Sequence, residues 1–153
     1  MHEITDSSAS DQGTKPLIAW EPSFALGVRD MDETHAEFID LLNRLDVAPD
    51  AIFGRLFTTL YEHTRAHFEN EQARMEACSF PAISEHNNEH RRILGQLSQI
   101  RKQLDRGRVS FGRAYVREGL PGWFRLHAAT MDSALAAHWK RYSATEAAQP
   151  RSR

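Results

Sequence analysis

The chain has 153 residues with 19 Lys and Arg against 21 Asp and Glu, a formal charge of −2, so no surplus of positive charge draws it to phosphate or anionic lipid. Nucleic acid and membrane are thus not expected partners, and no apolar run approaches the roughly 20 residues of a spanning helix. Length and a 41% hydrophobic content suit one buried core, while the lone Cys78 and the lack of a signal-peptide pattern at the start point to the cytoplasm.

In chain order, residues 1–15 are polar and rich in Ser, Asp and Gly, and read as a disordered N-terminal tail. The domain spans 16–142. Over 17–29, Trp20, Phe24 and Leu26 with Pro22 and Gly27 suit an irregular packed arm, with Trp20 as its anchor. A first helix is predicted over 32–45, capped by Asp30 or Asp32, with Phe38, Leu41, Leu42 and Leu45 at helical spacing. Pro49 and Asp50 then open a second helix that runs to about Cys78 on Ile52, Leu56, Leu60, Phe68 and Met75. Pro81 breaks the pattern, and Ser84 caps a third helix that ends at Gly107. Ser110 opens a fourth segment to Tyr142, in which Gly119, Pro121 and Gly122 predict a kink or break at 118–122. Residues 143–153 read as a flexible C-terminal tail. Nothing alternates at period two, and four helices with short connections predict an all-α, up-and-down antiparallel four-helix bundle with an irregular N-terminal arm.

Eight histidines beside one cysteine favour imidazole-rich metal sites over zinc-thiolate ones. An α-helix turns about 100° per residue, so residues four apart share a face and can reach one metal or a metal pair. His67 and Glu71 on the second helix, and His86 and His90 on the third, have this spacing. Either pair alone is weak. The first and fourth helices add His35, His127 and Asp132, so every helix of the expected bundle contributes to its axis. Asp132 lies five residues after His127, about 140° round a regular helix, and is expected to reach a different part of the site from the imidazole.

Four segments now carry a specific likeness: Gly27, Val28, Met31, Asp32 and His35; His67, Phe68, Glu71 and Met75; Pro81, His86, Glu89 and His90; Trp123, Phe124, His127 and Asp132. In this order the chain resembles the bacterial hemerythrins over about 20–137. The resemblance implies two non-haem iron ions, one bound by His86, His90 and His127 and the other by His35 and His67. Glu71 and Asp132 would bridge them together with an oxo or hydroxo group. Three imidazoles against two would leave the second iron with an open position, where the family binds dioxygen. Two ferrous ions, two carboxylates and one hydroxide leave little net charge, which suits an apolar core. Ferritin-like di-iron enzymes instead use Glu-x-x-His pairs, which are absent here.

The resemblance therefore implies reversible dioxygen binding, as carrier, store or sensor, by a protein that is not an enzyme. The protein partner stays open. Two other readings compete: a di-iron enzyme that reduces peroxide or nitric oxide, and a metal-free helical interaction module. Phe38, Phe68, Met75, Trp123 and Phe124 are expected to line a dioxygen pocket or to pack the core. Ala128 stands where many relatives carry a bulky aliphatic residue, so either neighbours repack there or a void is left beside the open iron. His2, His63 and His138 are not expected among the ligands, and Cys78 reads as a small packed residue.

Overall fold

The computed structural model describes residues 15–149; the expected N-terminal tail, with His2, lies outside them apart from Lys15. Its helices are α1 (Arg29–Val47), α2 (Asp50–Ala77), α3 (Ile83–Asp105), α4 (Val109–Ala114), α5 (Leu120–His127) and α6 (Ser133–Ala148). The last three form one continuous fourth leg, joined by π turns at Tyr115–Gly119 and Ala128–Asp132. Short connections make sequential legs antiparallel neighbours, and the bundle is of the up-and-down type. Among the described residues no helix is long and apolar enough to cross a membrane.

Each leg stops for a local reason. Pro49 leads α2 with extended backbone, where its missing N–H costs nothing. Gly107 takes φ +77° after α3, and the N–H groups of Gly107 and Arg108 close on the Leu104 and Gln103 carbonyls, a left-handed cap that favours glycine. No side chain caps α1. Instead the Asp32 carboxylate accepts from the Leu26 and Gly27 N–H groups at 2.8 and 3.2 Å, and so pins the arm to the first turn.

The expected kink or break at 118–122 takes the form of a departure from the regular helix, the π turn at Tyr115–Gly119, and not of a break. Leu120 N–H instead bonds back to the Tyr115 carbonyl, and this wider turn relieves the clash that the Pro121 ring makes with a regular preceding turn. The leg outlasts the expected boundary, since 143–148 continue α6 to Ala148. Ala144, Ala147 and Ala148 sustain it by intrinsic propensity, and Gln149 is extended.

The arm is irregular, with one 3₁₀ turn at Pro22–Phe24. Its anchor is not Trp20, which is 44% exposed, but Ile18 and Phe24, both fully buried. Ile18 also exchanges two hydrogen bonds with the Asn43 side chain, at 3.0 and 2.8 Å.

The core has two parts. The larger is built on Phe38, Leu42, Leu45, Phe53, Phe57, Leu60, Leu97 and Phe124 among others, and the smaller on Leu26, Met31, Met75, Phe80 and Leu135. A polar layer lies between them in sequence on every leg. His35 follows Met31 and precedes Phe38, Glu71 separates Phe68 from Met75, and Asp132 separates Ala128 from Leu135.

Candidate metal centre

All seven candidate side chains, His35, His67, Glu71, His86, His90, His127 and Asp132, meet in that polar layer. They fall into two groups. Glu71, His86, His90, His127 and Asp132 form one, and His35, His67, Glu71 and Asp132 form the other; within each, the donor atoms lie within 4.8 Å of one another. The groups share both carboxylates. Every imidazole presents Nε2: to Glu71 from His67, His86 and His90 at 2.9, 3.0 and 3.0 Å, and to Asp132 from His35, His127 and His86 at 3.0, 3.1 and 3.2 Å.

On α2 and α3 the i, i+4 spacing does this directly. On the fourth leg five residues separate the pair, yet Asp132 meets His127 through Oδ1 while its Oδ2 reaches His35 in the other group, the different part of the site that was expected. The π turn over Ala128–Asp132 brings the pair together. Its hydrogen bonds run between residues five apart, so those residues stack one turn above the other.

The fit to metal ions is visible in what the buried atoms leave unmade. The Nε2 atoms of His35, His90 and His127, with Glu71 Oε1 and Asp132 Oδ1, are fully buried and lack a hydrogen-bond partner, although each has an opposite donor or acceptor near 3 Å. Such misaligned close approaches, costly if left unsatisfied, are what atoms aimed at a common point between them produce.

Electrostatics hold the cluster ready. Burial and the neighbouring Asp132 push the Glu71 carboxyl up, yet His67 and His86 win and keep it well below the usual range. Asp132 is held low in the same way: burial is opposed by His127, His35 and His86. Burial lowers His86, but the Asp132 and Glu71 carboxylates override it and raise the imidazole to about 9. His90, with weaker carboxylate support, is lowered by its burial.

The ring orientations are fixed by aromatic plates. Phe68 stacks on His90 at 3.7 Å and 4°, and Trp123 on His127 at 4.8 Å and 19°. The Trp123 indole N–H donates to Glu89 Oε1 at 2.9 Å, and Glu89 is also bound by Arg92. These two contacts, Arg92 first, pull the Glu89 carboxyl down to about 2.

Beside the site lies a cavity of about 10 Å³ lined by His35, Phe38, Thr64, His67, Phe68, Trp123, Phe124, His127 and Asp132. Four of the five expected apolar residues line it, while Met75 belongs to the smaller core. Thr64 was missed, although it stands one turn before Phe68 and its face was therefore legible; its hydroxyl donates to the Leu60 carbonyl at 2.8 Å. Ala128 does not border the cavity. It is fully buried in the larger core, so the repacked alternative holds rather than the void. His63 pairs with Glu37 at 2.8 Å, His138 donates to the Cys78 carbonyl at 2.8 Å, and Cys78 is buried, with its thiol raised by that burial.

Comparison with known proteins places these residues in context. Residues 26–139 match the model of the hemerythrin HHE cation binding domain. The chain is 38% identical over 117 residues to a bacteriohemerythrin of Ralstonia nicotianae, covering 76% of this chain and 85% of that one. It is 24% identical over 97 residues to myohemerythrin-1 of Phascolopsis gouldii, covering 63% and 80%. A crystal structure of a hemerythrin point mutant superposes with a TM-score of 0.76 at 19% identity, over 82% of this chain and 98% of that one. Fold, polar layer and sequence match occupy the same stretch, and the chain belongs to the hemerythrin family.

Proposed function

We propose that this protein binds dioxygen reversibly at a non-haem di-iron centre held by His35, His67, Glu71, His86, His90, His127 and Asp132. The observation that carries the proposal is asymmetry: two donor groups share two carboxylates, one group has three imidazoles and the other two, and the small cavity touches both imidazoles of the poorer group but only His127 of the richer one. Two ferrous ions, when bound, supply the pair of electrons that such binding borrows and returns. Glu71 and Asp132 would bridge the metals, and their negative charge offsets the cations in a layer closed by apolar side chains.

The chain's own part is to hold, orient and exclude. Phe68 and Trp123 fix two imidazole planes, and Phe38, Phe68, Phe124 and Trp123 leave room beside the site for about one water-sized molecule. A small cavity walled mainly by Phe38, Phe68, Phe124 and Trp123 favours a small apolar ligand over water beside the centre. Turnover of peroxide or nitric oxide needs a proton donor in that space. Beyond the seven proposed ligands, the hydroxyl of Thr64 and the indole N–H of Trp123 are the polar hydrogens of the lining, and both already donate elsewhere. This favours binding over catalysis.

The test is elemental analysis together with the absorption spectrum of anaerobically reduced protein before and after air. Two irons per chain and a dioxygen-dependent band that disappears on deoxygenation are expected. One iron, or two metals with no dioxygen-dependent band, would sink the proposal.

A further inference from the structure

The seven converging side chains are not equally shut off from solvent. Six have exposures of 1–4%, whereas His67 reaches 12%. His67 and Glu71 border a groove of about 470 Å³ between α1 and α2, walled by Asp30 and Thr34, by Asn70, Ala73 and Arg74, and by Trp139 of α6. His67 also lines the small inner cavity. It is the residue that groove and cavity have in common.

One side chain ties the groove's walls together. Arg74 bonds Asp30 with Nη2 at 3.0 Å from Oδ2, and its guanidinium carbon lies 4.4 Å over the Trp139 ring, so it joins α2 to α1 and to α6. A second tie between α1 and α2, His63 to Glu37 at 2.8 Å, falls on the other side of His67 in the sequence and does not border the groove.

We propose that this groove is the path by which divalent metal ions enter and leave the centre, and that the Arg74 contact with Asp30 and Trp139 is the latch that sets the rate. A hydrated divalent cation gives up its waters stepwise to oxygen and nitrogen donors, so a route must offer them in succession, and a preformed site needs such an entry. Here the Asp30 carboxylate and the Asn70 amide flank the way to Glu71 and His67. The guanidinium opposes an incoming cation by its charge and holds the helices closed by its contacts.

This inference rests on the metal-centre reading above, and the experiment separates the two. Full-length protein stripped of metal is mixed with cobalt(II), whose absorption reports uptake, and the iron-loaded protein is challenged with a ferrous chelator. Arg74→Met should speed both uptake and release roughly three- to tenfold, the worth of a partly exposed ion pair with a cation–π contact, with the final metal count unchanged. Ala73→Phe narrows the groove with the latch intact and should slow both. His63→Gln removes the other tie and should leave both rates at the native value. Equal acceleration by Arg74→Met and His63→Gln would mean general loosening and overturn the path, as would native rates in Ala73→Phe. Native protein that takes up neither cobalt nor iron would overturn the metal centre itself.

Discussion

Phe124→Ala tests whether the aromatic wall beside the centre protects it as well as packing it. Phe124 is 3% exposed and meets Phe24 edge-on at 5.0 Å, His35 at 5.2 Å and 89°, and Phe38 stacked at 5.2 Å. Losing its burial removes about 2 kcal/mol of transfer free energy. A residual void on the order of 80 Å³, at about 24 cal/mol per Å³, adds about 2 kcal/mol more. A total of about 4 kcal/mol in a chain of this size lowers the melting temperature by roughly 10 °C. The void would also extend a cavity of about 10 Å³ that now touches His35 and His67, and water entering it should shorten the lifetime of the dioxygen-dependent absorption. Phe57→Ala is the control, since Phe57 is fully buried away from that cavity and packs on Phe53. Melting temperature and band decay are measured on both variants in one buffer. If both variants are destabilised alike and decay alike, or if Phe124→Ala keeps the native lifetime, the protective role is refuted.

Other outcomes follow from the same contacts. Glu71→Ala and Asp132→Ala should each lose metal, read by elemental analysis, while His63→Gln keeps the full count because His63 pairs with Glu37 instead. In the metal-free protein His86 is raised to about 9 by Asp132 and Glu71 against its burial, and a metal needs it neutral. Loading near neutral pH should therefore expel a proton, detectable with a pH indicator, and affinity should climb as pH rises towards 9. Over the same window the metal-free fold should lose the His86 contribution, which is complete below the ordinary histidine value and fades as pH rises through about 9; a melting temperature that rises instead would contradict this. Ala128→Ile should overpack a fully buried site and cost about 1–3 kcal/mol, with iron content and dioxygen binding retained. Glu89→Gln weakens the hold on the Trp123 indole and removes the Arg92 ion pair, so a modest loss of stability should come with a shifted iron–imidazole spectroscopic signature.

Much of the site was legible because a regular helix converts spacing into direction. His67 with Glu71, and His86 with His90, needed only the period of the helix, and the apolar residues around them marked the axis they face. Helix ends at Pro49 and Gly107 were written in residues with special backbone demands. What stayed hidden depends on backbone that leaves the regular period or on packing that spans the chain. Pro121 signals trouble for a regular helix, but not whether the chain breaks or widens. Thr64 shares the face of Phe68 yet looks like any helical threonine. The Arg74 contact joins three legs through residues 44 and 65 positions apart, which local pattern does not disclose.

The wide turn at Ala128–Asp132 has a consequence for tracing this site through other chains. One residue inserted into a regular helix is absorbed where it enters, and the rest of the helix keeps its phase. A helical wheel drawn at a constant 100° per residue therefore places Asp132 about 140° from His127 and hides that the two share a face. A helix carrying the same two side chains only four apart presents them on one face without any insertion. Read as backbone geometry, five against four separates two ways of delivering one carboxylate, and a one-residue deletion at Ala129 should convert the first into the second.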